Sequence, residues 1–402
     1  MNQASSVAVI SSEYPPNICG GLGVHVAKIT ASLRERMKCK IFVPHRGNYA
    51  PLHPDIQINE IEVPPHSASE LEFWLRFCYA TVLSVRSSRF AAEIIHCHDW
   101  MTILAGLKLR EIFGLPLVFN VHLPEHIGSR LHLENIGLIA ADVVIVNSAK
   151  VREELLERGL PIRRIQVIPN GVDASEFCLS SEWPNDDGYI LFVGRLVAQK
   201  GVDLLLQAFS VILRRWPQSH LIILGDGDLE LYFKRMVRYL GIGHRVRFVS
   251  WQTGPALVRF FQGSQAVVVP SYYEPFGMVA LEAMACGRPV IVSEVGGLSE
   301  IVEDGIQGYF IPPGDYLELA RRLSSLISSP RQRQEMGASA RTRALTYNWE
   351  TSASQTLNLY NCIISQPLAT NQRRALERVA QPLINEVDGL APIAKELLGL
   401  IA

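Results

Sequence analysis

The feature that most restricts how this chain can fold is an alternation. Apolar runs of about four or five residues take turns with longer stretches of helical periodicity. Val7-Ala8-Val9-Ile10 precedes a helical stretch from about Val24 to Met37. Cys39 to Val43, Ile94-Ile95, Leu117 to Val121 and Val143 to Val146 continue the series, and Val167-Ile168 runs into the turn Pro169-Asn170-Gly171. These runs lack period-2 alternation, as expected of strands covered by helices on both faces, and so of a parallel sheet. A second series follows the polar stretch Ser180 to Gly188, the natural linker. Its strands are Tyr189 to Val193, Leu221 to Leu224, Val246 to Val249, Ala266 to Val269 and Val290 to Val292, with helices about Val202 to Trp216, Leu229 to Leu240 and Met278 to Cys286 between them. The pattern predicts an α/β chain of two doubly wound domains facing a central cleft, residues 1–178 and 179–347. Ligands in such sheets bind at the carboxyl ends of the strands. Helices fill 348–402, the first packing back on the N-terminal domain. Gln366 to Ala402 reads as amphipathic helices, an oligomer contact or a partly ordered tail.

Composition narrows the class. At 402 residues, with 48% apolar and 19% charged residues, the chain has material for two or three cores and is not disordered, collagen-like or coiled coil. Lys plus Arg number 38 against 39 for Asp plus Glu, a net charge of -1 that argues against bulk nucleic-acid binding. Seven scattered cysteines without a C-x-x-C give neither a disulfide framework nor a cysteine zinc site. No run is long enough for a membrane span, and Val7 to Ile10 is too short for a signal peptide. The expected compartment is the cytoplasm, with contact to a membrane surface left open.

The strongest chemical signal is Ser271-Tyr272-Tyr273-Glu274-Pro275-Phe276-Gly277-Met278-Val279-Ala280-Leu281-Glu282. A strand ends, a loop carries Glu274, and a helix starts near Gly277. Its unpaired N–H groups would receive a phosphate or a polar sugar edge. Glu282 lies about a turn and a half into that helix, so two carboxylates can address two parts of one extended ligand. Spacing alone leaves open a helix-capping Glu274 and a solvated Glu282. Arg195 and Lys200 follow the strand Tyr189 to Val193 in Gly194-Arg195-Leu196-Val197-Ala198-Gln199-Lys200-Gly201. Cations at such a strand end can stabilise the negative charge of a phosphate.

With Pro-Phe-Gly inside Glu-x7-Glu, this segment resembles the signature of retaining nucleotide-sugar glycosyltransferases of the GT-B fold, closest to the glycogen-synthase-like group of glycosyltransferase family 4. Gly194 to Gly201 resembles that family's phosphate-binding loop, Pro169-Asn170-Gly171-Val172-Asp173 its interdomain segment and Val146-Asn147-Ser148 the strand end before it. Ala283 to Val290 and Gly296-Gly297 continue the match, which spans about residues 5 to 365. The resemblance implies Rossmann-like domains, the first binding the acceptor and the second the donor. It implies catalytic roles for Glu274, His122, Arg195 and Lys200. Donor contacts would come from Gly20, Gly21, Arg195, Lys200, Phe276, Gly277, Met278, Val279 and Glu282, with His98 and Asp99 on the acceptor side. No cofactor or metal is implied, and the co-substrate would be a UDP-, ADP- or GDP-sugar. His98 and Asp99 lean toward glucose. Glycogen synthases carry Lys-x-Gly-Gly-Leu where this chain has Ile18-Cys19-Gly20-Gly21-Leu22. The absent lysine leans against a glucan product.

Three other strings have ordinary explanations. In His96-Cys97-His98-Asp99-Trp100, two histidines share a strand face, but zinc needs a third protein ligand and the sequence places none nearby. His122-Leu123-Pro124-Glu125-His126 spells a zinc-protease motif but follows a strand and contains proline, so its helix is missing. Asp226-Gly227-Asp228 spells D-x-D, with Asp228 expected as a helix cap. Arg321, Arg322, Arg331, Arg333, Arg341 and Arg343 read as a solvated helix face, with a membrane-surface contact as the minor reading. The expected activity is hexosyl, here glucosyl, transfer to a hydroxyl acceptor with retention. The rivals are an epimerase or phosphorylase on the same fold and a silent sugar-nucleotide-binding protein.

Overall fold

The structure, a computed structural model, describes residues 4–18, 20–47, 53–63, 69–180, 188–365 and Val379. Residues 181–187 of the expected linker, Cys19, and nearly all of the tail from Gln366 lie outside the described residues. Two compact units emerge, 1–169 with 349–402, and 170–348.

The first unit is built on seven parallel strands: β1 (Ser6–Ile10), β2 (Lys38–Pro44), β3 (Gln57–Ile61), β4 (Ile94–His98), β5 (Leu117–Val121), β6 (Val143–Val146) and β7 (Ile165–Val167). They lie in the order β3-β2-β1-β4-β5-β6-β7. Helices α1 (Gly21–Leu33), α2 (Glu70–Ser87), α3 (Ile103–Phe113), α4 (Gly128–Ala140) and α5 (Ala149–Glu157) make the crossovers. The near-continuous apolar runs now have a physical reason. Successive side chains point to opposite faces, and both faces are dry. Val7, Val118 and Val143 enter one core with Val26, Ile29 and Leu33 of α1, while Ala8, Phe119 and Val144 enter the other with Phe77, Leu109 and Leu133.

The second unit repeats the scheme. Strands β8 (Tyr189–Val193), β9 (Leu221–Leu224), β10 (Val246–Val249), β11 (Ser264–Val269), β12 (Val290–Ser293) and β13 (Gly308–Ile311) are ordered β10-β9-β8-β11-β12-β13, all parallel. Its helices are α6 (Val202–Arg215), α7 (Glu230–Tyr239), α8 (Gly254–Gln262), α9 (Met278–Ala285), α10 (Leu298–Ile301), α11 (Tyr316–Ser328) and α12 (Pro330–Ala344). In each sheet the strand order reverses once, between β1 and β4 and between β8 and β11. Loops leaving those pairs diverge and open a crevice.

The unit boundary falls at Pro169–Asn170, ahead of the expected 178/179. Val172 and Phe177 are buried in the second unit's core, and Val172 N–H donates to Tyr347 C=O at 3.0 Å. The arginines of α12 are a correction as well. Arg333 is buried and donates to the carbonyls of Leu326 and Ile327 at 2.8 and 2.9 Å, closing the end of α11. Arg341 donates to Phe177 C=O at 2.6 Å and Arg343 to Glu300 C=O at 2.7 Å. Arg321 and Arg331 do face solvent.

At Asn348–Trp349 the chain re-enters the first unit as α13 (Trp349–Ser365). Ala353, Leu357, Tyr360 and Ile363 pack into the core shared with α1. Ser352 Oγ donates to Pro169 C=O at 2.6 Å, and Ala4 N–H donates to Asn361 Oδ1 at 2.8 Å. Among the described residues no helix is long and apolar enough to cross a membrane.

Candidate active site

In the second unit the two loops that leave the β8/β11 switch point are stitched together. Tyr272 N–H donates to Gln199 C=O at 2.8 Å and Gln199 Nε2 to Tyr273 C=O at 3.1 Å. Gly201, at φ 64°, closes the first loop where a Cβ would strike the Pro270 carbonyl. Gly296, at φ 51°, lies so close to the Glu274 carbonyl that a side chain would collide with it, and Gly297 N–H donates to that carbonyl at 3.0 Å. Glu274 is thereby held from both sides. Its Oε2 accepts from Lys200 Nζ at 2.7 Å and from Ser271 Oγ at 3.2 Å. Both charged side chains are largely covered, 19% exposed for Lys200 and 13% for Glu274.

Helix α9 begins beside this pair. Its N-cap is Gly277 at φ 109°, with no side-chain cap, so the first N–H groups remain for a ligand. Glu282 is half-buried on that helix. Phe276 differs from its expected part. Its side chain lies in the core and meets Tyr347 edge-on at 6.2 Å, which leaves only its main chain for a ligand. Arg195 is exposed. A cation and a carboxylate beside the uncapped start of a helix have the chemistry to bind a phosphate or a polyol.

Asp226 Oδ2 accepts from Trp251 N–H at 3.0 Å. Helix α7 is capped at Leu229 without a side-chain bond, so Asp228 is not the cap expected of it.

In the first unit the residues at the ends of β4 and β5 make a histidine cluster. His98 Nδ1 lies 3.0 Å from His122 Nε2. His96 Nδ1 lies 2.6 Å from Tyr360 Oη of α13. His25 of α1 sets its ring edge-on to His122 at 4.6 Å and to Trp349 at 5.7 Å. Burial holds all three strand-end imidazoles neutral: His96 is lowered to about 3, and His98 and His122 fall well below the usual histidine range. Asp99, at φ 56°, accepts the His122 N–H on Oδ1 at 2.7 Å, and burial raises its carboxyl well above the ordinary range.

Two expectations change here. His98 is fully buried and Asp99 is 5% exposed, so neither lines an acceptor surface; both hold His122. The third imidazole that the sequence did not place is His25, whose ligand atom lies within 4.8 Å of those of His98 and His122. Ligand proximity does not make a chelate, however. The ring centres of His98 and His122 are 5.3 Å apart with 20° between planes. Nitrogens 3.0 Å apart on such rings meet edge to edge, facing one another as in a hydrogen bond. Lone pairs converging on a shared ion need another arrangement. His25 and Tyr360 carry no local motif; only the fold brings them here. The string His122 to His126 stays outside any helix, since α4 starts at Gly128. Gly20 and Gly21 stand at the uncapped start of α1.

Residues 19–176 match the family described as Glycosyltransferase Family 4, and residues 176–343 match Glycosyl transferases group 1. An uncharacterized glycosyltransferase of Methanocaldococcus jannaschii is 32% identical over 88% of this chain and 97% of that protein. A glycogen synthase of Mycobacterium tuberculosis is 28% identical over 88% and 94%. Among solved structures, sucrose-phosphate synthase from Thermosynechococcus elongatus matches with a TM-score of 0.80 at 26% identity, over 90% of this chain and 99% of that one. The fold is GT-B, two Rossmann-like units with parallel sheets. The chain belongs to glycosyltransferase family 4, in its glycogen-synthase-like group.

Proposed function

We propose that this glycosyltransferase moves a glucosyl unit from a nucleoside-diphosphate sugar to a hydroxyl acceptor, with retention and without a metal. The observation that carries the reading is the Lys200–Glu274 pair beside the open start of α9. On this reading the diphosphate draws on Lys200, Arg195 and the α9 amides, Glu274 holds the transferred sugar, and Glu282 takes the ribose. His122 donates a hydrogen bond to a sugar hydroxyl. The leaving diphosphate departs on the face attacked by the acceptor and helps to take its proton. A buried neutral His122 whose ring meets no carboxylate among the described residues supports positioning over proton abstraction. The missing lysine before Gly20 favours a small acceptor over a glucan. The name of the sucrose-phosphate synthase places phosphorylated sugars in the first acceptor panel.

The test is to incubate the protein with UDP-, ADP- and GDP-glucose, with and without sugar phosphates and oligoglucans, and to follow nucleoside diphosphate release. Proton NMR of the first product then reads the new linkage. Acceptor-dependent release with an α-linked product supports the proposal. A β-linked product from an α-linked donor overturns retention, and no release with any pair overturns the glucosyl reading.

A further inference from the structure

We propose that His98 is a positioning residue that fixes His122 in the tautomer carrying its proton on Nδ1, so that His122 presents a permanent hydrogen-bond donor to a sugar hydroxyl. The last clause rests on the role proposed for His122 above; the tautomer itself does not.

The starting point is the 3.0 Å contact between His98 Nδ1 and His122 Nε2. Two neutral imidazoles can bond only if one supplies an N–H and the other a lone pair. The direction follows from the far side of His98. Its Nε2 is buried and, among the described residues, has no hydrogen-bond partner. A neutral ring carries one proton. Placed on Nε2, that proton would be an orphaned buried donor, rarer in native proteins than an unfilled acceptor. Placed on Nδ1, it points at His122 and the unpaired nitrogen is merely an idle lone pair. His98 therefore donates, His122 Nε2 accepts, and the His122 proton must reside on Nδ1.

The surroundings keep this arrangement from relaxing. His96 lies over the His98 ring at 4.3 Å with 30° between planes. Thr102 Oγ1 donates to the His98 carbonyl at 3.0 Å. His122 is pinned at both main-chain groups, by Asp99 Oδ1 at 2.7 Å and by Asn147 Nδ2 at 3.4 Å. Asp99 is thus engaged by a peptide N–H and not by an imidazole. A carboxylate on Nε2 would need a proton there and would select the opposite tautomer. A neutral histidine as orienting partner gives a donor that does not vary with ionisation of its neighbour.

Long-range proton–nitrogen spectra of the whole protein, with 15N-labelled histidine, report the tautomer in the resting state. His122→Gln assigns the signal. The expected result is a single Nδ1–H form at His122; an Nε2–H form or a mixture overturns the proposal. Kinetics give the second readout. His98→Asn keeps an N–H near the position of Nδ1, and His98→Leu removes it. With both variants folded to the same Tm, His98→Leu should lose about tenfold or more in kcat/KM for the donor. His98→Asn should recover most of that loss. Equal losses in the two variants overturn the donor role of His98. Because the spectrum needs no substrate, absence of any transfer overturns the proposed function and not the tautomer.

Discussion

Lys200 Nζ stands 2.7 Å from Glu274 Oε2, so a cation and a carboxylate at the β8/β11 switch point neutralise each other. The pairing keeps two part-buried charges from standing alone, which would be costly. On the function proposed above, an arriving diphosphate would compete with Glu274 for Lys200 and free the carboxylate for the sugar.

That exchange gives the first prediction. Glu274→Ala should lower kcat by about a hundredfold or more, roughly 3 kcal/mol of transition-state stabilisation. Glu282→Ala should instead raise the donor KM. Steady-state kinetics with the preferred donor separate the two; near-normal turnover of Glu274→Ala removes it from the site.

Turnover should persist in excess EDTA if, as proposed, Lys200, Arg195 and the start of α9 supply the positive charge. Loss of activity in chelator, restored by Mn²⁺ or Mg²⁺, would return Asp226 and Asp228 to consideration.

The histidine cluster predicts a signature in acid. His96 is held neutral down to about 3, mainly by burial, while the unfolded chain takes up its proton near pH 6.5. The unfolded state then binds more protons, so this group's contribution is intact above 6.5 and is lost as pH falls toward the folded value. Buried Asp99, with its raised carboxyl, works in the opposite sense, so a difference between variants is the clean measurement. Relative to His96→Asn, the wild type should lose about 2 kcal/mol between pH 7 and pH 5 in urea unfolding. Parallel pH curves would mean that His96 titrates normally.

Two arginines of one helix offer a contrast. Arg333→Ala removes a buried cation from two carbonyls and should cost about 3 kcal/mol or more. Arg331→Ala loses only a surface pair with Glu335 and should leave the unfolding temperature essentially unchanged. Thermal unfolding of the two variants side by side decides whether α12 is a solvated surface or a structural clamp.

How far the sequence could be read depended on what kind of information each residue carried. The buried strands were legible because both faces of a parallel sheet demand apolar side chains, and the loop around Glu274 was legible because strand, carboxylate, glycine and helix follow each other locally. Two of the edge strands, β3 and β13, were not. Gln57-Ile58-Asn59-Glu60-Ile61 is half-exposed as β3, and β13 opens on Gly308, whose bare Cα lets it lie against Val290. Arg333 and Arg343 escaped because a charged residue in a helix normally faces water, and only tertiary contacts reveal the carbonyls they close. His25 and Tyr360 reach His122 and His96 from far away in sequence, so no spacing could announce them. The second compact unit starts at Asn170, ahead of the break expected near 178, and Val172 and Phe177, apolar but isolated, gave no sign of which core they join.

The route of α13 bears on how the protein is made. The second unit is an insertion within the first, entered at Pro169–Asn170 and left at Asn348–Trp349. A chain emerging from the ribosome at roughly 5–20 residues per second leaves the first sheet without α13 while the whole second unit is synthesised, on the order of ten to thirty seconds. During that interval Tyr360 is absent from His96 and Trp349 from His25, and the apolar face that α1 shares with α13 is bare. The second unit can complete its fold first, although the first begins to appear earlier. Helix α13 thus acts as a late closure, and the contacts it brings to His25 and His96 form only after the second unit has been made.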